Sequence, residues 1–310
     1  MKQFQPLFKD YATFLKEHFD TKVQKLSIDG GFGCPNCDGT KGRGGCTYCN
    51  NHAFTPAYCD RGDSIAMQLS KGVDFFGKKY PDMKYLAYFQ AHTNTYAPLE
   101  VLRQKYEEAL GQRHIVGLVI GTRPDCVSKE LLDYLGDLAQ DHFVMMEYGI
   151  ESSDPTVLKA INRGHSFEQS CDTIVKTHER HIHTCAHIIL GLPLSSHNQM
   201  MNEASLISQL PLDILKLHQL QIIKGTVMAR QYAERPSDFG LFSSPQDYAS
   251  LAIDYIERLR PDITLERFTS QSPSELLIAP CWGMKNYQFV ELLKKLMRQR
   301  HTWQGRLWQP

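Results

Sequence analysis

Four cysteines, Cys34, Cys37, Cys46 and Cys49, sit together in the stretch DGGFGCPNCDGTKGRGGCTYCN. Seven of the chain's 21 glycines fall in the same stretch, at residues 30–45. Glycine permits positive φ and lets backbone approach a bulky group closely. Two chemistries suit such a loop. The two CxxC pairs could hold a tetrahedral zinc. Alternatively, three thiolates could hold an iron–sulfur cluster and leave one iron open for a ligand. A disulfide framework is disfavoured. The nine cysteines are odd in number and unevenly spaced, and the start MKQFQPLFKDY has no apolar export core.

Other residues could act with them. Glu147, Gly149 and Glu151 alternate onto one face of a predicted strand. A carboxylate pointing into a core needs a partner or a job, and for Glu147 that job could be a structural network. Lys216, His218, Arg123 and Asp125 read either as substrate contacts or as a satisfied buried network. The run HERHIHTCAH carries four of the 13 histidines. His183, Cys185 and His187 share a strand face there, but they spread over about 13 Å at ~3.3 Å per residue. They cannot converge on one ion unaided, so His178, His181 and His183 read as structural. Cys59, Cys126, Cys171 and Cys281 read as small hydrophobes in the core. Residues 284–310 carry Lys285, Lys294, Lys295, Arg298, Arg300 and Arg306 against the single acid Glu291, interleaved with Trp303 and Trp308. Basic plus aromatic composition suits nucleic acid. It equally describes a solvated helix whose tryptophans cover the barrel mouth.

The elements that must position these groups alternate. Strand patterns fall at residues 22–28, 84–90, 115–121, 144–151, 184–192 and 214–223. Helical patterns fall at 64–76, 98–110, 128–139, 167–181 and 197–210. Ser128 is a good N-cap. Six strands alternating with helices predict parallel βαβ units. The predicted fold is α/β, a partial (β/α)6 TIM-like barrel, with a doubly wound sheet as the competing architecture. An N-terminal helix and residues up to 225 belong to the barrel. Residues 226–310 form a small α+β extension, with a loop at 229–240, a helix at 245–259, a strand near 263–268 and a basic helix at about 287–300. The cysteine loop follows the first strand, so it lies at the C-terminal rim of the sheet. Active sites form on that rim, and a structural zinc has no reason to be there.

Composition sets outer limits. The 310 residues hold 34 Lys+Arg and 34 Asp+Glu, which excludes a general polycation. With 42% hydrophobic residues the chain is not disordered. No stretch approaches the roughly 18 apolar residues of a membrane span. A cytoplasmic protein with no membrane partner is expected.

The chain resembles the radical S-adenosylmethionine (SAM) superfamily, and within it the YhcC-like family related to the elongator catalytic-subunit radical SAM domain. The resemblance rests on KLSIDGGFGCPNCDGTKGRGGCTYCN, YLAYFQAHTNTYAP, IVGLVIGTRPDC, LKAINRGH, HIILGLP, LKLHQLQIIKGT and LLIAPCW, in order along nearly the whole chain. It implies that Cys34, Cys46 and Cys49, spaced C-x11-C-x2-C, ligate a 4Fe–4S cluster whose fourth iron chelates SAM. Cys37 departs from the family's CPNRDG and is not an expected ligand. The resemblance further implies that Tyr48 abuts the adenine, that Gln90 and Thr93 line the SAM amino group, and that Glu151 contacts the ribose. It places Arg163 on the SAM carboxylate, and His187 against SAM or substrate. Reductive cleavage of SAM to a 5′-deoxyadenosyl radical is the implied chemistry, with a donor such as flavodoxin or ferredoxin. A tRNA wobble uridine is the leading substrate. A small metabolite or protein substrate, and a non-catalytic zinc or electron-transfer module, remain alternatives.

Overall fold

The computed structural model describes residues 6–77 and 82–310. Residues 1–5, part of the stretch read above for an export signal, lie outside the described residues. After helix α1 (Tyr11–His18), the strands β1 (Val23–Ile28), β2 (Lys84–Phe89), β3 (Ile115–Thr122), β4 (Phe143–Glu151), β5 (His183–Leu190) and β6 (Ile214–Gln219) pair in sequence order, every pair parallel. The crossovers are α2 (Ile65–Gly77), α3 (Leu99–Leu110), α4 (Lys129–Leu138), the short α5 (Pro155–Ala160) with α6 (Phe167–His178), and α7 (His197–Ser208). Local chemistry starts these helices where the sequence expects. Ser128 accepts from Leu131 N, and Ser166 and Ser196 each close a reciprocal capping box with a glutamine three residues on.

The sheet has seven strands rather than six. After the two-residue β7 (Ile222–Ile223), α8 (Val227–Glu234) and α9 (Pro245–Ile256), the strand β8 (Thr264–Arg267) pairs parallel with β6. The sequence assigns this strand to the extension; in the structure it forms the far edge of the curled half-barrel. The predicted strand at 214–223 divides, because β7 turns away to pair antiparallel with β9 (Leu277–Ala279). The predicted loop at 229–240 begins as α8, capped by Thr226. Helix α10 (Asn286–Gln299) packs on α9.

Strand residues split by parity into two cores. The outward set, including Leu26, Phe89, Ile120, Met146 and Leu217, packs under the helices. The inward set at the N-terminal end, including Val23, Leu86, Val119, Met145 and Ile214, is closed by Phe14 of α1. Burial on both faces explains the unbroken apolar runs. No helix of the described residues is long and apolar enough to cross a membrane.

Candidate active site

A cavity of about 240 Å³ opens at the C-terminal rim of the half-barrel. All four loop cysteines line it, together with Tyr48, Gln90, Thr93, Glu151, Arg163 and His187. The structure therefore brings together every site residue that the sequence singles out for the cofactors. The floor is formed by Tyr88, Glu147 and Lys216, and the far wall by His218, Gln219, Gln221, Arg267 and Ser270.

The cysteine loop lacks regular structure, and buried polar groups hold it. Asn36 donates to the Asn162 carbonyl at 2.6 Å and toward Cys46 Sγ at 3.5 Å. Asn162, at φ 53°, donates to the carbonyls of Gly45 (2.8 Å) and Arg43 (3.2 Å). Lys41 reaches Asp125 at 2.7 Å, and Arg123 binds both Asp125 (3.0 Å) and the Arg163 carbonyl (2.8 Å). Burial works against the Asp125 carboxylate, but the hydrogen bonds from Arg123 and Lys41 outweigh it and hold its pKa down to about 2. Gly42 has to be glycine, since a Cβ there would lie 2.1 Å from Asn36 Oδ1. Asn36 and Asn162 were missed in the sequence. Their signal is weak, an asparagine in a glycine-rich loop and one tolerant of positive φ.

Arg163 is the centre of the cofactor wall. It is buried, donates to the Gly149 carbonyl (2.5 Å) and to Cys46 Sγ (3.4 Å), and lies 3.8 Å from Glu151. Among the described residues its Nε has no partner. Gly149 leaves room for this approach, because a Cβ there would stand 2.5 Å from Glu151 Oε1 and 2.6 Å from Arg163 Nη2. Glu151 itself sits at φ 71°, a strained conformation of the kind that functional sites retain. Gln90 accepts from Ser27 at 2.8 Å, and the Thr93 amide donates to Gly33 at 3.1 Å, tying β2 to the loop.

These residues fit the groups that the sequence resemblance implies. Loss of water, then the charge of neighbouring thiolates, pushes Cys49 up to about 12 and Cys37 up to about 11. Thiols that oppose one another's ionisation are stabilised as thiolates by bound metal. An unsatisfied buried guanidinium N–H beside a carboxylate suits a zwitterionic ligand.

The floor is a saturated ion-pair network. Glu147 binds Lys25, Lys216 (2.7 Å) and His187 Nε2 (3.1 Å), while Glu266 binds Lys25 (2.7 Å) and Lys216 (3.3 Å). Burial disfavours the Glu147 carboxylate, but the ammonium groups of Lys216 and Lys25 hold it well below the usual carboxylate range. Arg123, Asp125 and Lys216 form buried ion pairs, and Arg123, Lys216 and His218 also line the cavity. Glu147, Cys185 and His187 bring ligand atoms within 4.8 Å of one another. Two lysine charges already on Glu147 oppose a divalent ion there. His183 is structural, stacked on Phe143 and 3.7 Å from Asp213.

Two expectations are corrected. Cys281 is exposed and Cys59 and Cys126 are half-buried outside the core, whereas the half-buried Cys171 packs against the core's edge as expected. Cys59 instead donates to the Ser27 carbonyl. The C-terminal tail does not cover the barrel mouth. Gln304 binds Leu7, Lys9, Arg260 and Ile263, and Leu307 binds Glu257, which places the tail at the N-terminal rim. Lys294, Arg300 and Arg306 are spent on Glu291, Asp254 and Glu257. Lys285, Lys295 and Arg298 are exposed.

A half-barrel of parallel strands with clustered thiols at its C-terminal rim defines the class, and the chain belongs to the radical SAM superfamily. The superfamily model matches residues 37–207, and the Radical SAM C-terminal domain matches residues 212–299. The protein is a radical SAM enzyme, whose cofactors are a 4Fe–4S cluster and SAM. Within the superfamily it is similar to uncharacterized protein YtqA of Bacillus subtilis, 37% identical over 295 residues, 95% of this chain and 91% of that one. It is also similar to protein YhcC of Escherichia coli K12, 35% identical over 305 residues, 98% of this chain and 96% of that one. A more distant relative is the tRNA uridine(34) acetyltransferase of Methanocaldococcus infernus, 24% identical over 201 residues, 64% of this chain and 36% of that protein. Among solved structures, the archaeal M. infernus Elp3 with an N-terminal deletion shares the fold at a TM-score of 0.69 and 16% identity. The match covers 92% of this chain and 64% of that one.

Proposed function

We propose that the enzyme modifies tRNA, with a wobble uridine as substrate, and that Cys34, Cys46 and Cys49 ligate its cluster. The observation that carries the substrate is the relationship over 201 residues to a protein named for action on tRNA uridine 34. When bound, the cluster supplies one electron and SAM supplies the 5′-deoxyadenosyl group that takes a hydrogen atom from substrate. The chain's own residues bind and orient. Arg163 takes the SAM carboxylate, Glu151 the ribose, Tyr48 the adenine, and Gln90 and Thr93 the amino group. His187, held at Nε2 by Glu147, presents its other edge to the cavity. The closed floor keeps water out from below. The electron comes from a flavodoxin or ferredoxin. Residues 1–225 supply six strands of the barrel unit, and 226–310 act as its associated module, which adds the edge strand β8.

The test compares modified nucleosides of total tRNA from wild-type and deletion cells. One wobble uridine derivative is expected to disappear. An unchanged nucleoside profile, with 5′-deoxyadenosine still produced by the reduced enzyme, would sink the tRNA substrate while keeping the enzyme class.

A further inference from the structure

The strand pairing at the far edge of the sheet is irregular. Ile214 and Leu215 face Thr264 and Leu265, but Lys216 then faces Arg267, so Glu266 and Arg267 together oppose one residue. Such a bulge re-aims side chains. Regular alternation already sends Glu266 into the lumen, onto Lys25 and Lys216, and the bulge adds Arg267 to the cavity wall opposite the cysteines.

The charges around the cavity do not balance there. Glu147 and Glu266 are consumed by two lysines, Asp125 by Arg123 and Lys41, and Glu151 lies beside Arg163. Among the described residues, Arg267 makes no ion pair. Its register partner is the lysine Lys216 and its chain neighbour Glu266 is spent on lysines, while Ser270, Gln271 and His218, bound to Ser270 at 2.9 Å, line the same wall. Burial, and then the positive field of His187, Arg267 and Lys216, holds His218 neutral. Arg267 is exposed and lines the cavity, so its unpaired guanidinium is open to an oxyanion entering there, and its planar fork suits one bidentately.

We propose that this wall is an oxyanion-binding subsite, in which Arg267 takes a carboxylate or phosphate group of the substrate. The proposal rests on the cavity holding the substrate, and not on the substrate being tRNA.

The anaerobic, reconstituted holoenzyme is melted at fixed ionic strength in sodium chloride, with part of the chloride replaced by inorganic phosphate or by acetate. The wild type is expected to show a saturable rise in Tm of about 2 °C at roughly ten times the dissociation constant, larger for whichever anion matches the substrate group. Arg267→Ala should abolish the rise and Arg267→Lys should retain part of it, while SAM affinity stays unchanged in both. Arg267→Gln replaces the alanine variant if that one folds poorly. A wild type that responds to neither anion, or an alanine or glutamine variant that responds like the wild type, overturns the subsite. No RNA is present in this experiment, so a failed tRNA reading and a failed subsite give separate results.

Discussion

The cysteine wall and the floor of the same cavity are built on opposite plans. The wall is irregular backbone, pinned by Asn36, Asn162, Arg123 and Asp125, and its functional atoms are left unfinished. Thiols crowd one another, and Arg163 keeps an N–H with no acceptor among the described residues. The floor is built on paired strands, and its lysines Lys25 and Lys216 and carboxylates Glu147 and Glu266 answer one another. Incompleteness marks where a guest belongs, and saturation marks what the protein keeps for itself. A buried charged cluster is therefore not by its nature a site.

The largest test of this contrast is on the wall. Cys46→Ala is expected to lose essentially all cluster iron after anaerobic reconstitution, whereas Cys37→Ala keeps the wild-type iron content and the broad visible absorbance. Equal loss in both would mean that four thiols, not three, form the metal site. On the floor, Glu147→Gln leaves Lys25 and Lys216 to share the single carboxylate of Glu266 and should cost about 3–5 kcal/mol of stability by denaturant unfolding. A loss near zero would show the floor to be more hydrated than its geometry indicates.

A smaller effect separates the ion-paired Glu147 from a buried carboxyl that has only hydrogen bonds. Glu203 of α7 accepts from the Ser153 amide at 2.6 Å, just beyond Glu151, and burial raises it from 4.5 to about 7. The folded state then holds this proton more tightly than the unfolded chain. Stability from this group is fully present below pH 4.5 and is lost as pH rises to about 7. The loss is roughly 3 kcal/mol at ~1.4 kcal/mol per pKa unit. Glu203→Gln should flatten the fall in Tm over that range. An unchanged slope would assign the pH dependence to other groups.

Much of the wall was legible in the sequence because its residues carry chemistry at fixed spacing. Cys34, Cys46, Cys49 and Arg163 stand out by type, and Glu147, Gly149 and Glu151 by strand parity. The asparagines that hold the loop were not legible, since they act on backbone carbonyls more than 100 residues away, as Asn162 does on Gly45. The seventh strand was seen as a strand but not placed. Thr264–Arg267 is short, and partner choice depends on contacts that local periodicity does not encode. The same bulge hid Arg267, whose parity on a regular strand would have turned it away from Glu266.

The strap formed by Gln304 has a consequence for how the chain reaches its native state. Leu7 and Lys9 are both held by Gln304, 295 positions beyond Lys9, and Leu265 binds Lys9 from the edge of the sheet. Successive βα units can pair as they leave the ribosome, but this rim cannot be sealed until residue 304 has been made. Closing so distant a contact is slow relative to local pairing. Nascent chains should therefore dwell as a pre-formed sheet with the β8 edge open, and that late intermediate is where a chaperone, or a thiol oxidant reaching the unfilled cysteine loop, would find the protein.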